Sequence, residues 1–472
     1  MKHLHKWLIV LIIPFLFACS DNDNDDNDSG DSVEPPPPVE VEASQLRVTH
    51  ASPDAPAVNV YVNGDLALEN VDYKQSSGLI TFDEPATLSV EVRGILPDSS
   101  EVSVIGPVDL TLVEGQRTDV IAFGSLFDSD GNVNIAPLVL DPVEIEDGIE
   151  DVRVTVVHAA PQVGDVDIYV TSPGDALANT APIDAGFGDF AGPVALAADT
   201  EYQVRITPDG ATDVVYDSGT LSFAAGTELV VVAVENTFKV GASPVGLLAV
   251  GADGASEVTD INIGAAVRVV HNSADTPAVD VLVDGAEVLD AVTFPQATGY
   301  DVEAPAGTYN VVVAADADNS IAPIDVDLSL AATESYTVLA IGSLLDGSLA
   351  PLLTVDDRRN IATAAIVEVI HGSYLVAAAI PVDVYLTSDG VIADAEPAIS
   401  GLAYGESTDQ LALPPGDYWV TVTAAGDSSV VAFDSGATLA LEGGTNYTVI
   451  ARDPSMAEGA GSPLINVTIL TD

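Results

Sequence analysis

Short runs rich in Val, Ile, Thr and Tyr recur along the chain from residue 46 onward, and Gly, Pro, Asp and Asn separate them. In many runs apolar and polar residues alternate, as in TLSVEV at residues 87–92. Period-two alternation places the apolar residues on one face of a half-buried strand. No amphipathic helical pattern exceeds two turns. About seven such strands per 100 residues predict an all-β chain of immunoglobulin-like or transthyretin-like antiparallel β-sandwiches.

One motif occurs four times along the sequence. Its first copy is RVTHASPDAPAVNVYVNG at residues 47–64, and later copies begin at Arg153, Arg268 and Val367. The histidines of the copies are His50, His158, His271 and His371. Self-similarity at a long period indicates tandem domains. We predict β-sandwich repeats at 46–141, 152–250, 265–356 and 364–472.

The first residues show a different pattern. Lys2 and Lys6 precede a 12-residue apolar run at residues 7–18, which is too short to span a bilayer but typical of a signal peptide at 1–18. The sequence LFAC at residues 16–19 resembles the lipobox of bacterial lipoproteins. That resemblance implies cleavage before Cys19, a lipid on its sulfur and a membrane anchor, and Ser20 resembles the outer-membrane class. An ordinary secretory signal with an unrelated cysteine is the alternative.

Residues 19–45 are expected to form a disordered acidic tether. The segment 20–44 carries nine acids and no base, and it contains the Pro-rich stretch 35–38. Like charges and proline extend such a chain. An Asp-rich run after a lipidated cysteine also resembles surface-export signals. We therefore predict a location in the bacterial cell envelope. The resemblance at Cys19 and Ser20 implies attachment to the outer membrane, and the periplasmic or surface side is left open.

The charge excludes one class of partner. The chain has 13 Lys and Arg against 73 Asp and Glu, a net charge of -60, which repels a phosphate backbone and argues against nucleic-acid binding. A solvated surface explains this charge, and binding of divalent cations is the alternative. Cys19 is the single cysteine, so no internal disulfide is expected.

The repeated motif also resembles a known family. The pattern R-V-x-H-A-S-P-D-A-P-x-V-D-V-Y-V-x-G, followed by Y-T-V-x-A-x-G, resembles a bacterial domain of unknown function, DUF4397, of secreted and lipid-anchored proteins. The resemblance is nearly complete in the first and third repeats, weaker in the second and weakest in the fourth. It implies a sandwich fold and an envelope location, and it implies no activity.

The motif histidines continue the apolar face of the first strand of each repeat. We therefore expect each imidazole at the core end of the strand, where it hydrogen-bonds turn backbone or the nearby acid. The functional alternative pairs His50 with Asp54 and His271 with Asp275. One His and one carboxylate are too few for a metal site, and no G-x-S-x-G elbow is present. We predict no catalytic residue and no enzyme.

Calcium is the one cofactor that the sequence suggests. Asp128, Asp130 and Asn132 are alternate oxygen-bearing residues, as in calcium loops, and residues 316–319 form a similar stretch. The EF-hand order is not met, and a turn between strands selects the same residues. No other cofactor is expected.

These observations predict a non-enzymatic, lipid-anchored envelope protein whose four sandwiches serve as a spacer or interaction surface for a protein or polysaccharide partner. One alternative is a carbohydrate- or calcium-binding module at the cell surface. A second is a hydrolase that uses a His/Asp pair. The oligomeric state is left open.

Overall fold

The computed structural model describes residues 42–83, 86–146, 148–377, 381–455 and 464–472, which belong to one compact unit. The signal peptide, Cys19 and the tether to residue 41 lie outside the described residues. Among the described residues, the helices are the 3-10 turn Leu177–Asn179 and the four-residue α1 (Tyr374–Ala377). None of them has the length and apolar character to cross a membrane.

Strands make up most of the first two repeats. The first contains β1 (Ser44–His50), β2 (Val58–Val62), β3 (Asp65–Val71), β4 (Ile80–Phe82), β5 (Thr87–Ile95), β6 (Glu101–Thr111), β7 (Gln116–Phe123), β8 (Ala136–Val139) and β9 (Val143–Glu144). The second contains β10 (Val152–His158), β11 (Val166–Thr171), β12 (Ile183–Ala185), β13 (Phe190–Leu196), β14 (Glu201–Pro208), β15 (Tyr216–Ser222), β16 (Glu228–Glu235), β17 (Val245–Gly251) and β18 (Gly254–Val258).

The last two repeats have the same strand succession. The third contains β19 (Ala265–His271), β20 (Val279–Val283), β21 (Ala286–Val292), β22 (Val302–Ala304), β23 (Gly307–Ala315), β24 (Ile324–Leu330), β25 (Ser335–Ile341) and β26 (Ala350–Asp356). The fourth contains β27 (Ala365–His371), β28 (Val382–Thr387), β29 (Ile399–Leu402), β30 (Leu411–Leu413), β31 (Gly416–Ala424), β32 (Asp427–Leu441), β33 (Thr445–Arg452) and β34 (Asn466–Thr471).

Each repeat is a sandwich of two sheets in the part of the chain that the structure describes. In the first repeat one sheet has the order β4-β1-β7-β8, with β9 beside β7, and the other has the order β3-β2-β5-β6. The other repeats keep this order, and β18 extends the second repeat past residue 250. The predicted all-β sandwich fold is therefore confirmed.

The pairing of the first strand differs from a purely antiparallel sandwich. β1 runs parallel to β7, and the same parallel pair forms between β10 and β16, β19 and β25, and β27 and β33. The chain leaves β1 for the other sheet and crosses back before β7, so no hairpin forces the two strands to run in opposite directions. The pairs along the remaining sheet orders are antiparallel.

The central strands of two sheets are buried on both faces. All seven residues of β25 and all seven of β27 are buried, although alternation predicts a half-exposed strand. One face of each strand packs in the core of its own sandwich. The other face packs against the neighbouring repeat, which explains why both strands are buried along their whole length.

Apolar side chains from neighbouring repeats form shared cores. Ile121 of the first repeat packs in one cluster with Val157 and Leu248 of the second. Val270 of the third repeat packs in another with Ile370 of the fourth. The repeats therefore form two face-to-face pairs, the first with the second and the third with the fourth.

The linker at residues 357–364 connects the third and fourth repeats and contacts the first. Arg359 in this linker donates to the backbone oxygens of Pro53, at 2.9 Å, and Ala55, at 2.5 Å. The backbone of Ala362 donates to the Asp54 carbonyl at 2.8 Å. The loop that follows β1 in the first repeat is thus covered by a segment about 300 residues further along the chain.

Candidate functional site

The motif histidines of the first two repeats lie at the ends of β1 and β10 and are bonded to turn backbone. His50 Nε2 lies 3.1 Å from the Pro56 carbonyl, and its Nδ1 accepts from the Ser52 N–H at 3.3 Å. His158 makes the same pair of contacts, with the Gly164 carbonyl at 3.1 Å and the Ala160 N–H at 3.4 Å. Since a carbonyl only accepts, the proton lies on Nε2 in both rings.

The histidines of the other two repeats have fewer polar contacts. His271 Nε2 donates to the Pro277 carbonyl at 3.1 Å, and its Nδ1 has no partner among the described residues. Neither ring nitrogen of His371 has a partner within the described part of the chain, which excludes residues 378–380 of the following loop. Aromatic rings contact the four imidazoles edge-on at 6.1–6.3 Å, namely Tyr73, Phe187, Phe294 and Tyr404.

Burial favours the neutral form of His50, His271 and His371. His50 is 1% exposed, and burial lowers its pKa to about 4. Burial also lowers the pKa values of His271 and His371. A general base must reach the proton that it removes. The enclosed rings instead hold the turn that follows the first strand.

The acids of the motif do not turn toward the histidines. Asp54 Oδ1 accepts from the Leu126 N–H at 2.7 Å, across to the loop that follows β7. Asp275 accepts from Ser343 Oγ at 2.6 Å and from the Leu344 N–H at 3.0 Å in the equivalent loop of the third repeat. The structure therefore brings Asp54 and Asp275 to a neighbouring loop and does not place them on the imidazoles.

The two carboxyls differ in their electrostatics. Burial raises the pKa of Asp54, which has one short backbone donor. Burial acts in the same direction on Asp275, but hydrogen bonds from Ser343 and the Leu344 and Leu345 backbones outweigh it and lower its pKa. Each carboxylate thereby joins the loop after the first strand to the loop after the parallel strand. We call this contact the loop clamp.

The second and fourth repeats form the loop clamp from the opposite side. Glu235, in the second repeat, accepts from the Gln162 N–H at 2.7 Å. Asp453, in the fourth, accepts from Ser373 Oγ at 2.6 Å and from the Leu375 N–H at 3.0 Å. The acid here is the last residue of the parallel strand, as for Glu235, or the residue that follows it, as for Asp453.

Aligning the parallel strands would have located these acids. Glu235 and Asp453 stand where the first and third repeats have Gly124 and Gly342, two residues after the alanine that pairs with the motif histidine. They lie 77 and 82 residues beyond His158 and His371, so inspection of the motif alone did not reveal them. The absence of Pro-Asp in those motif copies therefore does not remove the clamp.

The polar residues on the second strands hold bulges. Asp280 Oδ1 accepts from the Ala291 N–H at 2.9 Å, and Asp383 Oδ1 accepts from the Gly401 N–H at 2.7 Å. Ala291 has φ 53°, a conformation that a residue with a Cβ rarely adopts, and the strand register shifts beside it. These acids are used to fix backbone geometry.

A group of carboxylates in the third repeat is the arrangement closest to a metal site. Oxygens of Asp280, Asp290 and Asp316 all lie within 4.8 Å of one another, and the Asn319 amide N–H donates to Asp280 Oδ2 at 2.8 Å. Calcium is bound by such carboxylate oxygens. The sequence indicates residues 316–319 as a candidate calcium loop. It does not indicate Asp290, which lies on β21.

The loop with Asp128, Asp130 and Asn132 forms a closed turn. Asp128 Oδ1 accepts from the backbone N–H groups of Asp130 and Asn132, both at 2.9 Å. Backbone and side-chain hydrogen bonds from Asn132 lower the pKa of Asp128. The oxygens of Asp128 thus serve the turn between the bridged residues Phe127 and Val133.

A family model matches the chain four times. It is described as a domain of unknown function (DUF4397), and it matches residues 44–169, 152–256, 265–385 and 374–467. The chain belongs to the DUF4397 family. The tandem DUF4397 repeats predicted from the motif are confirmed.

Other comparisons add little to the DUF4397 assignment. No curated protein matches the chain. A family CBM26 module from Eubacterium rectale Amy13K, solved with maltoheptaose, is 11% identical and covers 40% of this chain and 91% of its own, with a TM-score of 0.13. BcpA, the major pilin subunit of Bacillus cereus, is 10% identical and covers 85% of this chain and 95% of its own, with a TM-score of 0.11. Similarities at these TM-scores carry no argument about the DUF4397 repeats.

Proposed function

We propose that this chain is a non-enzymatic, lipid-anchored envelope protein whose four sandwiches form a spacer or interaction surface. The observation that carries the proposal is the use of the motif residues. Three of the four buried imidazoles, those of His50, His158 and His271, bond turn backbone. The acids of the loop clamp bond a neighbouring loop. A spacer needs such fixed loops and does not need a reactive group.

The placement of the basic side chains supports a spacer of fixed internal geometry. Arg47 bonds Asp119 at 2.5 Å and reaches the backbone of the second repeat at the Gly251 carbonyl, 2.7 Å away. Other basic residues also contact a different repeat or the linker: Lys74, Arg117, Lys239, Arg268, Arg358, Arg359 and Arg452. A strongly acidic chain would repel itself, and these cations offset that repulsion where repeats meet.

The lipid anchor is tested at Cys19. Cys19→Ala removes the sulfur that a diacylglycerol would modify, so the protein should move from the membrane fraction to the soluble fraction. Metabolic labelling with palmitate should mark the wild-type chain and not the variant. Ser20→Ala, which keeps the cysteine, is the matched control. Membrane retention and labelling of Cys19→Ala would contradict a lipid anchor at this residue.

The exposed side of the envelope is tested by protease treatment of intact cells. Blotting for the third repeat should show loss of signal if the sandwiches lie outside, and protection until lysis if they lie in the periplasm. Lysed cells provide the control for protease access. The first result directs the search for partners to polysaccharides and neighbouring cells, and the second to periplasmic proteins.

The cluster of Asp280, Asp290 and Asp316 favours calcium binding as a second candidate function. Calcium that binds the folded state should raise the melting temperature by about 2–5 °C at saturation. Asp290→Asn should abolish this rise, because it removes a charged ligand from the cluster. Asp130→Asn, in the closed turn of the first repeat, should leave the rise intact. Equal melting with calcium and with a chelator would exclude this function.

A further inference from the structure

A cavity lies between the two sheets of the fourth repeat. Its volume is about 190 Å³, and strands of both sheets line it. Along β33 the lining residues are Tyr447, Val449 and Ala451, which are alternate residues of one face. At about 3.3 Å per residue the cavity follows this strand for roughly 13 Å. It is therefore an elongated space with His371 at one end.

Apart from His371 at one end, whose ring nitrogens have no partner among the described residues, the described lining residues have no unpaired buried side-chain nitrogen or oxygen. They are aliphatic or aromatic apart from His371. The hydroxyl of Tyr418 donates to the Pro414 carbonyl at 2.7 Å, and that of Tyr447 accepts from the Glu442 N–H at 2.9 Å. A charged or strongly polar ligand would lose its hydration without replacement here. The lining thus selects an apolar occupant.

The size of the cavity differs between repeats and is not fixed by the fold. The corresponding spaces in the second and third repeats are about 60 Å³ each, although the strand order is the same. Protein interiors are close-packed, with few voids larger than a water molecule. Large apolar cavities stay dry and take up small apolar molecules. The first repeat contains a second large cavity, of about 170 Å³.

We propose that the cavity of the fourth repeat is a binding site for a single unbranched alkyl chain. A volume of about 190 Å³ spread along this length gives a cross-section that admits one alkyl chain. Leu386, Leu413 and Leu441 line the end away from His371 and are only half-buried. The polar group of an amphiphile would remain in water at that end, while the chain lies between the sheets.

The experiment is titration of the full chain with 1-octanol and 1-decanol, followed by calorimetry and by native mass spectrometry for the number of sites. Both alcohols should bind, and decanol should bind about tenfold more tightly, because two further methylenes are buried. Val420→Phe, which fills the cavity, should remove one site per chain. Val311→Phe is the matched control, because Val311 lines the corresponding small cavity of the third repeat.

Two results would overturn this proposal. One is no binding of either alcohol by the wild-type chain, and the other is an unchanged number of sites in Val420→Phe. Val420→Leu provides a milder change that fills part of the cavity and keeps a branched aliphatic side chain. Provided that its melting curve matches the wild type, it should weaken decanol binding at least tenfold, and unchanged affinity would also reject the site.

Discussion

Single side chains of the motif hold backbone that is near in sequence and backbone that is far away. His271, at the end of β19, donates from its Nε2 to the nearby Pro277 carbonyl. Asp275 reaches residues 343–345, about 70 positions away. The sequence placed the imidazole on the apolar face, but the clamp partner could not be predicted. It depends on the parallel pairing of β19 with β25, and no local pattern encodes that pairing.

His271→Ala tests the role of the imidazole in this turn. The substitution leaves the buried Pro277 carbonyl without its donor and opens space beside Phe294, so the third repeat should lose about 1–3 kcal/mol of stability. The denaturation midpoint of the full chain measures the loss of stability. Hydrogen exchange then assigns that loss to the third repeat. Asp130→Ala, in an exposed turn, is the control. A midpoint equal to the wild type would reject a structural role for His271.

Strands show where local periodicity is sufficient and where it fails. Alternation correctly predicted half-buried strands such as β24, in which buried and exposed residues alternate. It failed for β25 and β27, whose second face is covered by another repeat. Ile370 shows the reason, because it points away from the core of the fourth sandwich and packs with Val270 and Leu339 of the third.

Ile370→Ala tests whether this second face stabilises both partners. The side chain is 0% exposed, so its truncation should cost about 2–5 kcal/mol. Since the contact is shared, faster hydrogen exchange should appear in both the third and the fourth repeat and not in the first. Val430→Ala, at a 42% exposed position of β32, serves as the control. Faster exchange confined to the fourth repeat would show that this contact does not stabilise the third repeat.

The whole molecule contains two repeat pairs whose buried charges differ. In the first pair, Arg47 and Arg117 meet Asp119 and Glu228. In the second pair, the Arg47 position is Arg268 and the equivalent residue of the fourth repeat is Glu368. Glu368 and Asp356 are both acids and both are buried, and Arg268 is the cation beside them. The second pair therefore carries an excess of buried acid.

This excess predicts a pH dependence of the second pair. Burial, followed by the charge of Asp356, raises the pKa of Glu368 to about 8. The folded state then holds a proton that the unfolded state releases above its ordinary pKa near 4.5. Stability should accordingly fall as the pH rises toward about 8, and the loss is complete above it. His50, His271 and His371, whose pKa values are lowered, act in the opposite direction near pH 6.5, because there they bind protons only in the unfolded state. Their contribution is the same in the wild type and in a Glu368 variant, so the difference between the two proteins isolates Glu368.

Melting curves between pH 6.5 and 8.5 test this prediction. Relative to Glu368→Gln, which needs no proton, the wild-type third and fourth repeats should lose stability steadily from pH 6.5 to about pH 8. Glu228→Gln at the first interface is the matched control and should retain the wild-type slope. Identical slopes for wild type and Glu368→Gln would show that Glu368 does not titrate in this range.

The sequence by itself determined the strands, the four repeats and the apolar face on which each motif histidine lies. These features follow from the period of neighbouring residues, which is a local property of the chain. Only the tertiary structure decided that the repeats pair face to face, that Glu235 and Asp453 supply the loop clamp, and that Glu368 lies beside Asp356. Those contacts join different loops or different repeats. They are set by how whole sheet faces pack, and that packing has no signature in any short stretch of residues.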